Sequence, residues 1–160
     1  MTRWLTDDEL QSWLKLAGVM LRLNPALDSQ LQRDSDLTHF DYLCLAMLSE
    51  TEDRTLRMSD LAALTNASLS RLSHVVSKLE KRGLVARAPS PHSRRVTLVR
   101  LTEEGWRVLV LAAPGHVETV RSLVFEGLGP EDVAALERVA GHIVASIEAS
   151  RLGTPTTRDA

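Results

Sequence analysis

Apolar residues recur at helical spacing along most of the 160-residue chain. Between Thr6 and Asp34 they return every three or four positions, which predicts a long amphipathic helix that begins at a Thr-x-x-Glu capping box. We expect Pro25 to kink or break this helix, because proline removes one backbone donor. The helix is expected to bury one face, which carries Leu10, Trp13, Leu14, Ala17, Val19, Met20 and Leu21.

Three large apolar residues, Trp4, Leu5 and Trp13, lie close to the start of the chain, where ends normally fray. Burial against a partner subunit would explain them, and packing within the chain would explain them equally well. The sequence leaves both interpretations open.

The same spacing predicts three more long helices. One runs from His39 to about Ser49 with Thr38 as its cap, and a loop or short edge strand follows at residues 51–57. Another begins after Thr102, and we expect a kink at its Pro114-Gly115 pair. Pro130 is placed at the first turn of the last helix, which it suits because its missing N–H would be unpaired there.

The middle of the chain has the pattern of a helix-turn-helix, with a short helix at residues 59–64 and a second at residues 68–82. The second helix is predicted to bury Leu69, Leu72, Val75, Val76 and Leu79. Seven residues on its other faces form a set of hydroxyls, cations and a histidine that includes no carboxylate and suits phosphates and base edges. That set is Ser70, Arg71, Ser73, His74, Ser77, Lys78 and Lys81.

Two strand-like segments follow, at residues 84–88 and 96–101, and they are joined by the loop sequence PSPHSRR. A basic hairpin after a helix-turn-helix indicates a winged helix-turn-helix, whose second helix enters a major groove while Arg94 and Arg95 at the loop tip reach a minor groove. The candidate DNA-binding residues are Ser59, Ser68, Ser70, Arg71, Ser73, His74, Ser77, Lys78, Arg94 and Arg95.

The distribution of charge supports a nucleic-acid partner although the net charge is −2. Residues 54–100 hold ten Lys or Arg and two acids, a net charge of +8, and the remainder of the chain has a net charge of −10. A basic module on an acidic scaffold is typical of a DNA-binding protein.

The wing also carries a recognisable motif, in which Ser93-Arg94-Arg95 is followed after five residues by LTEEG at residues 101–105. This resembles the D-x-R and L-T-x-x-G wing signature of the MarR (multiple antibiotic resistance regulator) family, with Ser93 in place of the family's Asp. The recognition segment LSRLSHVVSKLEKRGLV is similar to the family pattern as well.

The resemblance implies a homodimer formed by the first and the last two helices. It also implies a small aromatic effector, an acid or a phenol, lodged where those helices meet the winged domain. The nearest candidates in this sequence are Trp13, His39, Tyr42 and Trp106.

The expected fold is therefore mainly α, a winged helix-turn-helix with long N- and C-terminal helices that form a dimerisation domain. We divide the chain into an N-terminal dimerisation helix at residues 1–37, the DNA-binding domain at residues 38–101, C-terminal dimerisation helices at residues 102–149 and a disordered tail at residues 150–160.

Other chemistry is not indicated. The histidines lack metal-ligand spacing, so we expect no metal and no cofactor, and Cys44 on an apolar helix face is typical of an inert cysteine. No catalytic motif, signal peptide or uninterrupted apolar run of about 18 residues is present, which favours a cytoplasmic protein that is neither an enzyme nor bound to a membrane.

Two functional hypotheses follow from the sequence. The first is a homodimeric repressor of MarR type that binds a pseudo-palindromic operator in double-stranded DNA and is released by a small molecule. The second is a ligand-binding or protein-interaction module of the same fold without operator binding. Ser93 favours the second hypothesis, and the intact basic helix favours the first.

Overall fold

The computed structural model describes residues 2–152, except for the side chains of residues 94, 151 and 152. Its elements confirm the predicted class, a mainly helical winged fold. In chain order they are α1 (Asp7–Ser35), α2 (His39–Ser49), β1 (Thr55–Arg57), α3 (Met58–Leu64), α4 (Leu69–Lys81), β2 (Val85–Ser90), β3 (Ser93–Leu101), α5 (Glu103–Val120), a π-helical segment (Arg121–Phe125) and α6 (Pro130–Leu152). The chain divides into two compact units between Val120 and Arg121.

Helix α1 begins at the predicted capping box, where Thr6 and Glu9 exchange side-chain and backbone hydrogen bonds. The predicted break at Pro25 is wrong, because the helix runs unbroken to Ser35. Pro25 has no N–H to donate to the carbonyl of Leu21, four residues earlier in the helix. Pro25 and Leu21 are both exposed. Water is therefore available to that carbonyl, so one missing hydrogen bond does not end the helix.

The predicted burial of the first half of α1 is also wrong within the single chain. Its buried residues are Leu27, Gln30 and Leu31, all in the second half of the helix. Trp4 and Leu5 are exposed as well, which contradicts packing within the chain. The large side chains of the first half are 41–74% exposed, namely Leu10, Trp13, Leu14, Val19, Met20 and Leu21.

The hydrophobic core of the first unit lies between its helices and the sheet of the wing. Leucines from the second half of α1 and from α2, α3 and α4 meet the inner sides of β2 and β3 and one face of α5. The sheet is antiparallel with the order β1-β3-β2, so β1 is the predicted edge strand. The fully buried leucines and valines are Leu31, Leu37, Leu45, Leu48, Leu61, Leu72, Val76, Leu79 and Val99.

The LTxxG motif joins the end of α4 to the start of α5. The Thr102 hydroxyl donates to the Gly83 carbonyl at 2.6 Å and accepts from the Gly105 N–H at 3.0 Å. The Thr102 N–H donates to the carbonyl of Leu84 at 3.1 Å. Gly83 has φ +72°, a left-handed conformation that favours glycine and ends the recognition helix. The motif therefore fixes where α4 ends and where the wing leaves the domain.

Helix α5 continues through Pro114, and the departure from α-helical winding comes later, in the π-helical segment. The kink expected at Pro114 stays a prediction. Pro114 and Val110, whose carbonyl is freed, are both exposed, as at Pro25. In length and composition the helical stretch Glu103–Phe125 would suffice to span a membrane. Core helices meet the same criteria, and α5 packs on α1 and α2 and buries Leu109 and Ala112.

The second unit contains α6, which begins at Pro130 as predicted. The Gly129 N–H is paired with the Asp132 carboxylate at 3.1 Å. The helix continues to Leu152, so residues 150–152 are helical, and residues 153–160 of the predicted tail lie outside the described residues. Large apolar side chains along α6 are 37–52% exposed, namely Val133, Leu136, Val139, Ile143, Val144 and Ile147.

Candidate nucleic-acid interface

The predicted recognition helix is α4, and local hydrogen bonds define both of its ends. The Ser68 hydroxyl accepts from the Arg71 N–H at 3.2 Å, which makes Ser68 the N-cap. The preceding turn places Asn66 at φ 52°, a conformation that asparagine tolerates. Only a short turn joins α3 to α4, and the buried face of α4 packs in the domain core. Both features constrain the orientation of α4.

The outermost row of α4 lies opposite its buried face. Leu72, Val76 and Leu79 are fully buried. The helical repeat places four residues on the opposite side, at positions i, i+4, i+7 and i+11. They are Ser70, His74, Ser77 and Lys81, a row of hydroxyls, an imidazole and an ammonium group without a carboxylate.

One flank of α4 faces the first turn of α2. The Arg71 guanidinium lies 4.3 Å from the centre of the Phe40 ring, within cation–π range. The Lys78 ammonium lies 2.6 Å from a carboxylate oxygen of Asp41, which is buried. Both cations were predicted to bind DNA, and the structure shows that both also make contacts inside the domain.

The other flank of α4 faces the wing. Glu80 accepts one hydrogen bond from the Arg87 backbone and two from its guanidinium, at 2.7–2.9 Å. These bonds hold the pKa of Glu80 below its usual value, with the side-chain bonds contributing most. Strand β2 is thereby tied to α4, and Arg87 is occupied by this pair.

Leu69, at the first position of α4, was predicted to be buried and is 57% exposed. Sequence reasoning missed it because its spacing from Leu72 and Val76 is also that of a core residue. The signal that could have identified it is its place directly after the N-cap, where recognition helices approach base edges.

The wing differs from the predicted long loop. Strands β2 and β3 extend to a turn of only two residues, Pro91 and His92, so Arg94 and Arg95 lie in β3 and not at the tip. The pairing moves from Pro89–Thr97 directly to Ser90–Ser93, which leaves residues 94–96 of β3 without cross-strand partners. Such a bulge re-aims the side chains it contains.

Ser93 takes part in this irregular stretch, because its hydroxyl accepts from the Arg95 N–H at 3.4 Å. The Arg95 side chain is exposed. Ser59, the predicted contact on α3, is also exposed, and its hydroxyl donates to Asp60 at 3.2 Å.

Four of the ten basic residues counted at residues 54–100 are neutralised by acids of the same chain. Arg54 pairs with Glu103, Lys78 with Asp41, Arg82 with Asp36 and Arg87 with Glu80. Within residues 54–100, the described cations without an ion pair are Arg57, Arg71, Lys81, Arg95 and Arg100. The unpaired positive charge of this segment therefore lies on α4 and on the sheet.

The four candidate effector-binding residues do not form one site. His39 and Tyr42 both contact the ring of His116, with ring centroids 5.5 and 4.4 Å away. Trp106 instead packs beneath the Arg54 guanidinium at 4.3 Å, and Trp13 is half exposed on α1. In the single chain the four side chains therefore lie at separate places, which helical spacing alone does not show, and their role in effector binding stays a prediction.

A cavity of about 450 Å³ lies between α1, α2 and α4, and His39 is the one member of that group that lines it. Its other lining residues include Asp28, Phe40, Asn66, Arg71 and Val75. Burial lowers the pKa of His39, an effect that the nearby Asp28 carboxylate opposes. Burial also lowers the pKa of His116, and the neighbouring His39 adds to that effect.

Cys44 is fully buried, and burial raises the pKa of its thiol to about 12. A thiol that stays protonated is a poor nucleophile, in agreement with the predicted inert role. Within the residues that the structure describes, histidines, cysteines and acids form no group of three suited to a metal ion.

Comparisons with known proteins agree with this geometry. A model of the MarR family matches residues 35–96. The repressor IacR of Pseudomonas putida is 30% identical over 122 residues, 74% of this chain and 70% of its own length. The first of the curated relatives is 40% identical, and this chain spans only about half of its length, 51%.

Solved structures are similar over nearly the whole chain. The MarR family regulator Sco3205 of Streptomyces coelicolor, solved in complex with DNA, is 38% identical, covers 99% of this chain and 96% of its own, and gives a TM-score of 0.89. CouR of Rhodococcus jostii RHA1, solved with p-coumaroyl-CoA, is 27% identical over 89% of this chain and 95% of its own, with a TM-score of 0.69. Together with the winged fold and the LTxxG junction, these similarities show that the chain belongs to the MarR family of transcriptional regulators, a family of regulators and not of enzymes.

Proposed function

We propose that this regulator is a homodimer that binds a pseudo-palindromic operator in double-stranded DNA and represses transcription by occupying it. The observation that carries the proposal is the outer row of α4, in which Ser70, His74, Ser77 and Lys81 are presented without a carboxylate. Hydroxyl, imidazole and ammonium groups suit base edges and phosphates. The solved complex of Sco3205 with DNA supports the same assignment.

The remaining contacts belong to the wing and to the flanks of α4. Arg95 is exposed in the bulged part of β3, where it is available to a minor groove next to the α4 site. Arg94 is assigned to the same groove from its position in the bulge. Ser59, Ser68 and Ser73 complete the proposed surface as hydroxyls near the sugar-phosphate backbone.

Dimer formation is supported by exposed apolar side chains in each of the two units. The first half of α1 presents two tryptophans, Trp4 and Trp13, together with several leucines, and α6 presents an apolar stripe of its own. A soluble monomer rarely exposes contiguous apolar surface of this extent. Sedimentation velocity of the full chain at micromolar concentration tests this step, and a well-behaved monomer would contradict it.

We favour repression over activation, because a dimer that covers an operator blocks RNA polymerase without any further contact. The similarity to IacR, which is a transcriptional repressor, supports this assignment. The site of action would be the cytoplasm, where bacterial promoters are found.

An effector site is proposed in the cavity between α1, α2 and α4. His39 and Arg71 offer donors to a carboxylate, and Phe40 and Val75 offer apolar surface to a ring. A small aromatic acid matches both, and the structure of CouR with p-coumaroyl-CoA shows that a relative binds the thioester of an aromatic acid. Because Arg71 belongs to α4, occupation of the cavity would disturb the DNA-binding helix.

A mobility shift on the DNA upstream of the protein's own gene tests the central claim. We expect a discrete complex whose footprint has two half-sites about one helical turn apart. Aromatic acids added to that complex test release, with intrinsic tryptophan fluorescence as the binding signal. The alternative, a module without operator binding, would bind an aromatic acid but shift no DNA, even from a random duplex library.

A further inference from the structure

The ion pair between Lys78 and Asp41 differs from every other ion pair among the described side chains. The Asp41 side chain is 1% exposed, whereas the carboxylates of the other pairs are 35–91% exposed. One oxygen of Asp41 accepts both the Lys78 ammonium at 2.6 Å and the Thr38 N–H at 2.9 Å. A buried carboxylate needs such compensation, so Asp41 depends on the charge of Lys78, whose own side chain is 48% exposed.

This pair is one of two points at which α4 is held to the first turn of α2. Arg71 lies over the ring of Phe40, and Lys78, seven residues later on the same flank, pairs with Asp41. Seven residues of helix span about 10 Å. Two contacts that far apart add to the core packing of Leu72, Val76 and Leu79, and together they fix the direction of the helix axis more closely than either contact alone.

The side of α4 that faces α2 is also distinct from its outermost row. Ser70, His74 and Lys81 point away from the core, while Arg71, Val75 and Lys78 form the flank beside α2. Lys78 further lies near the C-terminal end of α4, and base contacts concentrate at the N-terminal end of a recognition helix.

We propose that Lys78 is a positioning residue for operator recognition and not a phosphate-binding cation. Through Asp41 it sets the angle at which α4 presents its outer row to the major groove. This inference rests on the proposed DNA binding. A failure of the inference alone would appear in the salt dependence of that binding.

The distinction is measurable because phosphate contacts release counterions. Each cation that neutralises a phosphate contributes about one unit to the slope of log affinity against log salt. A lysine already neutralised by a buried carboxylate contributes little to that slope. Lys81, on the outer row and without an ion pair to a described side chain, provides the matched control on the same helix.

The experiment compares the full-length wild type with Lys78→Gln, Asp41→Asn, the double variant and Lys81→Gln. The probes are the duplex that the wild type enriches from a random library and a scrambled duplex of the same length. Fluorescence anisotropy at several KCl concentrations gives both affinity and slope. Circular dichroism establishes that each variant is folded, and Asp41→Asn tests the pair by itself should Lys78→Gln not fold.

We expect Lys78→Gln and Asp41→Asn each to weaken operator binding at least tenfold, with an unchanged slope and scrambled-duplex binding within twofold of wild type. The double variant should be no weaker than the singles, because all three lose the same interaction. Lys81→Gln should lose about one unit of slope and weaken both duplexes alike.

Three results would overturn the inference. The first is a loss of about one slope unit in Lys78→Gln, as for Lys81→Gln. The second is operator binding by Asp41→Asn at wild-type strength, since a phosphate-binding Lys78 does not need its carboxylate. The third, a wild type that enriches no duplex, rejects the proposed function and this inference with it.

Discussion

Gly105 lies so close to the backbone of Leu84 that a Cβ added to Gly105 would sit 2.0 Å from the Leu84 carbonyl oxygen. The Leu101 side chain would be 2.7 Å away on another side. This contact explains the glycine of the LTxxG motif, because it lets the first turn of α5 pack against the chain that leaves α4.

Gly105→Ala should therefore destabilise the winged domain by about 3 kcal/mol, since the clashing atom belongs to the backbone and cannot rotate away. Gly127→Ala is the control, because a Cβ at Gly127 would meet nothing within 4 Å. Both changes restrict the unfolded chain equally, so their difference in urea unfolding isolates the clash. Equal stability of the two variants would contradict this account of the motif.

The outer row of α4 predicts different results for its members. Removal of the His74 imidazole should relax discrimination between operator and mismatched duplexes, by about 1–3 kcal/mol at the position it contacts, because base contacts carry sequence information. Ser73→Ala, on a half-buried neighbouring position, should have a smaller effect. Competition binding against operators with single substitutions measures both. Uniform weakening of all duplexes by His74→Ala would assign His74 to a phosphate.

Leu69 supports a prediction about thymine. An exposed leucine at the first position of a recognition helix can contact a thymine methyl group in the major groove. Replacing thymines of the operator one by one with uracil should weaken the wild type at a single position in each half-site. Leu69→Ala should be insensitive to uracil at that same position. If no uracil substitution affects the wild type, Leu69 does not read a methyl group.

The sequence was sufficient for the order of the elements because each has local signals. The capping box at Thr6, the cap at Thr38 and Pro130 at a first turn lie where sequence reasoning put them. These signals depend on hydrogen bonds between near neighbours in the chain, which a sequence displays directly.

Features that depend on tertiary contacts could not be read in this way. Helical periodicity identified the apolar face of α1 but not that its first half stays uncovered in the single chain. It also placed Lys78 and Lys81 together among the exposed cations of α4, because the buried Asp41 that neutralises Lys78 is 37 residues away in sequence. The short turn at Pro91 and His92 accompanies a bulge in the pairing of β2 with β3, which no local sequence motif indicates.

The two half-buried histidines His39 and His116 predict a pH dependence of stability. Burial lowers the pKa of His39 and of His116 from 6.5, so the unfolded state binds more protons at mildly acidic pH. Stability should be complete above about pH 7 and fall as the pH drops through 6.5 toward the folded-state values. Urea midpoints between pH 7.5 and 5.5 measure this, in a window above the usual titration of carboxylates.

His116→Asn should flatten that profile, because it removes one of the two groups and the His39–His116 repulsion together. His142→Asn is the control, since His142 is exposed on α6. A wild-type midpoint that does not change across the window would contradict the role of these histidines.

The wing supports the last prediction, which concerns the replacement of the family's Asp by Ser93. The Ser93 hydroxyl already accepts from the Arg95 N–H, so it holds the backbone of the bulge without a charge. An aspartate could add an ion pair with a nearby arginine, but an exposed pair of this kind contributes less than about 1 kcal/mol. It would also bring a negative charge close to DNA phosphates, which weakens non-specific attraction.

Ser93→Asp should therefore change operator affinity by less than about 1 kcal/mol while raising the ratio of specific to non-specific binding. Arg95→Ala should cost about 1–3 kcal/mol of operator affinity, because an arginine in a narrow minor groove is strongly attracted by its negative potential. Arg94→Ala is measured beside it, and anisotropy titrations with operator and scrambled duplexes give all the ratios. If neither arginine variant loses operator affinity, the wing does not contact DNA, and recognition depends on α4 alone.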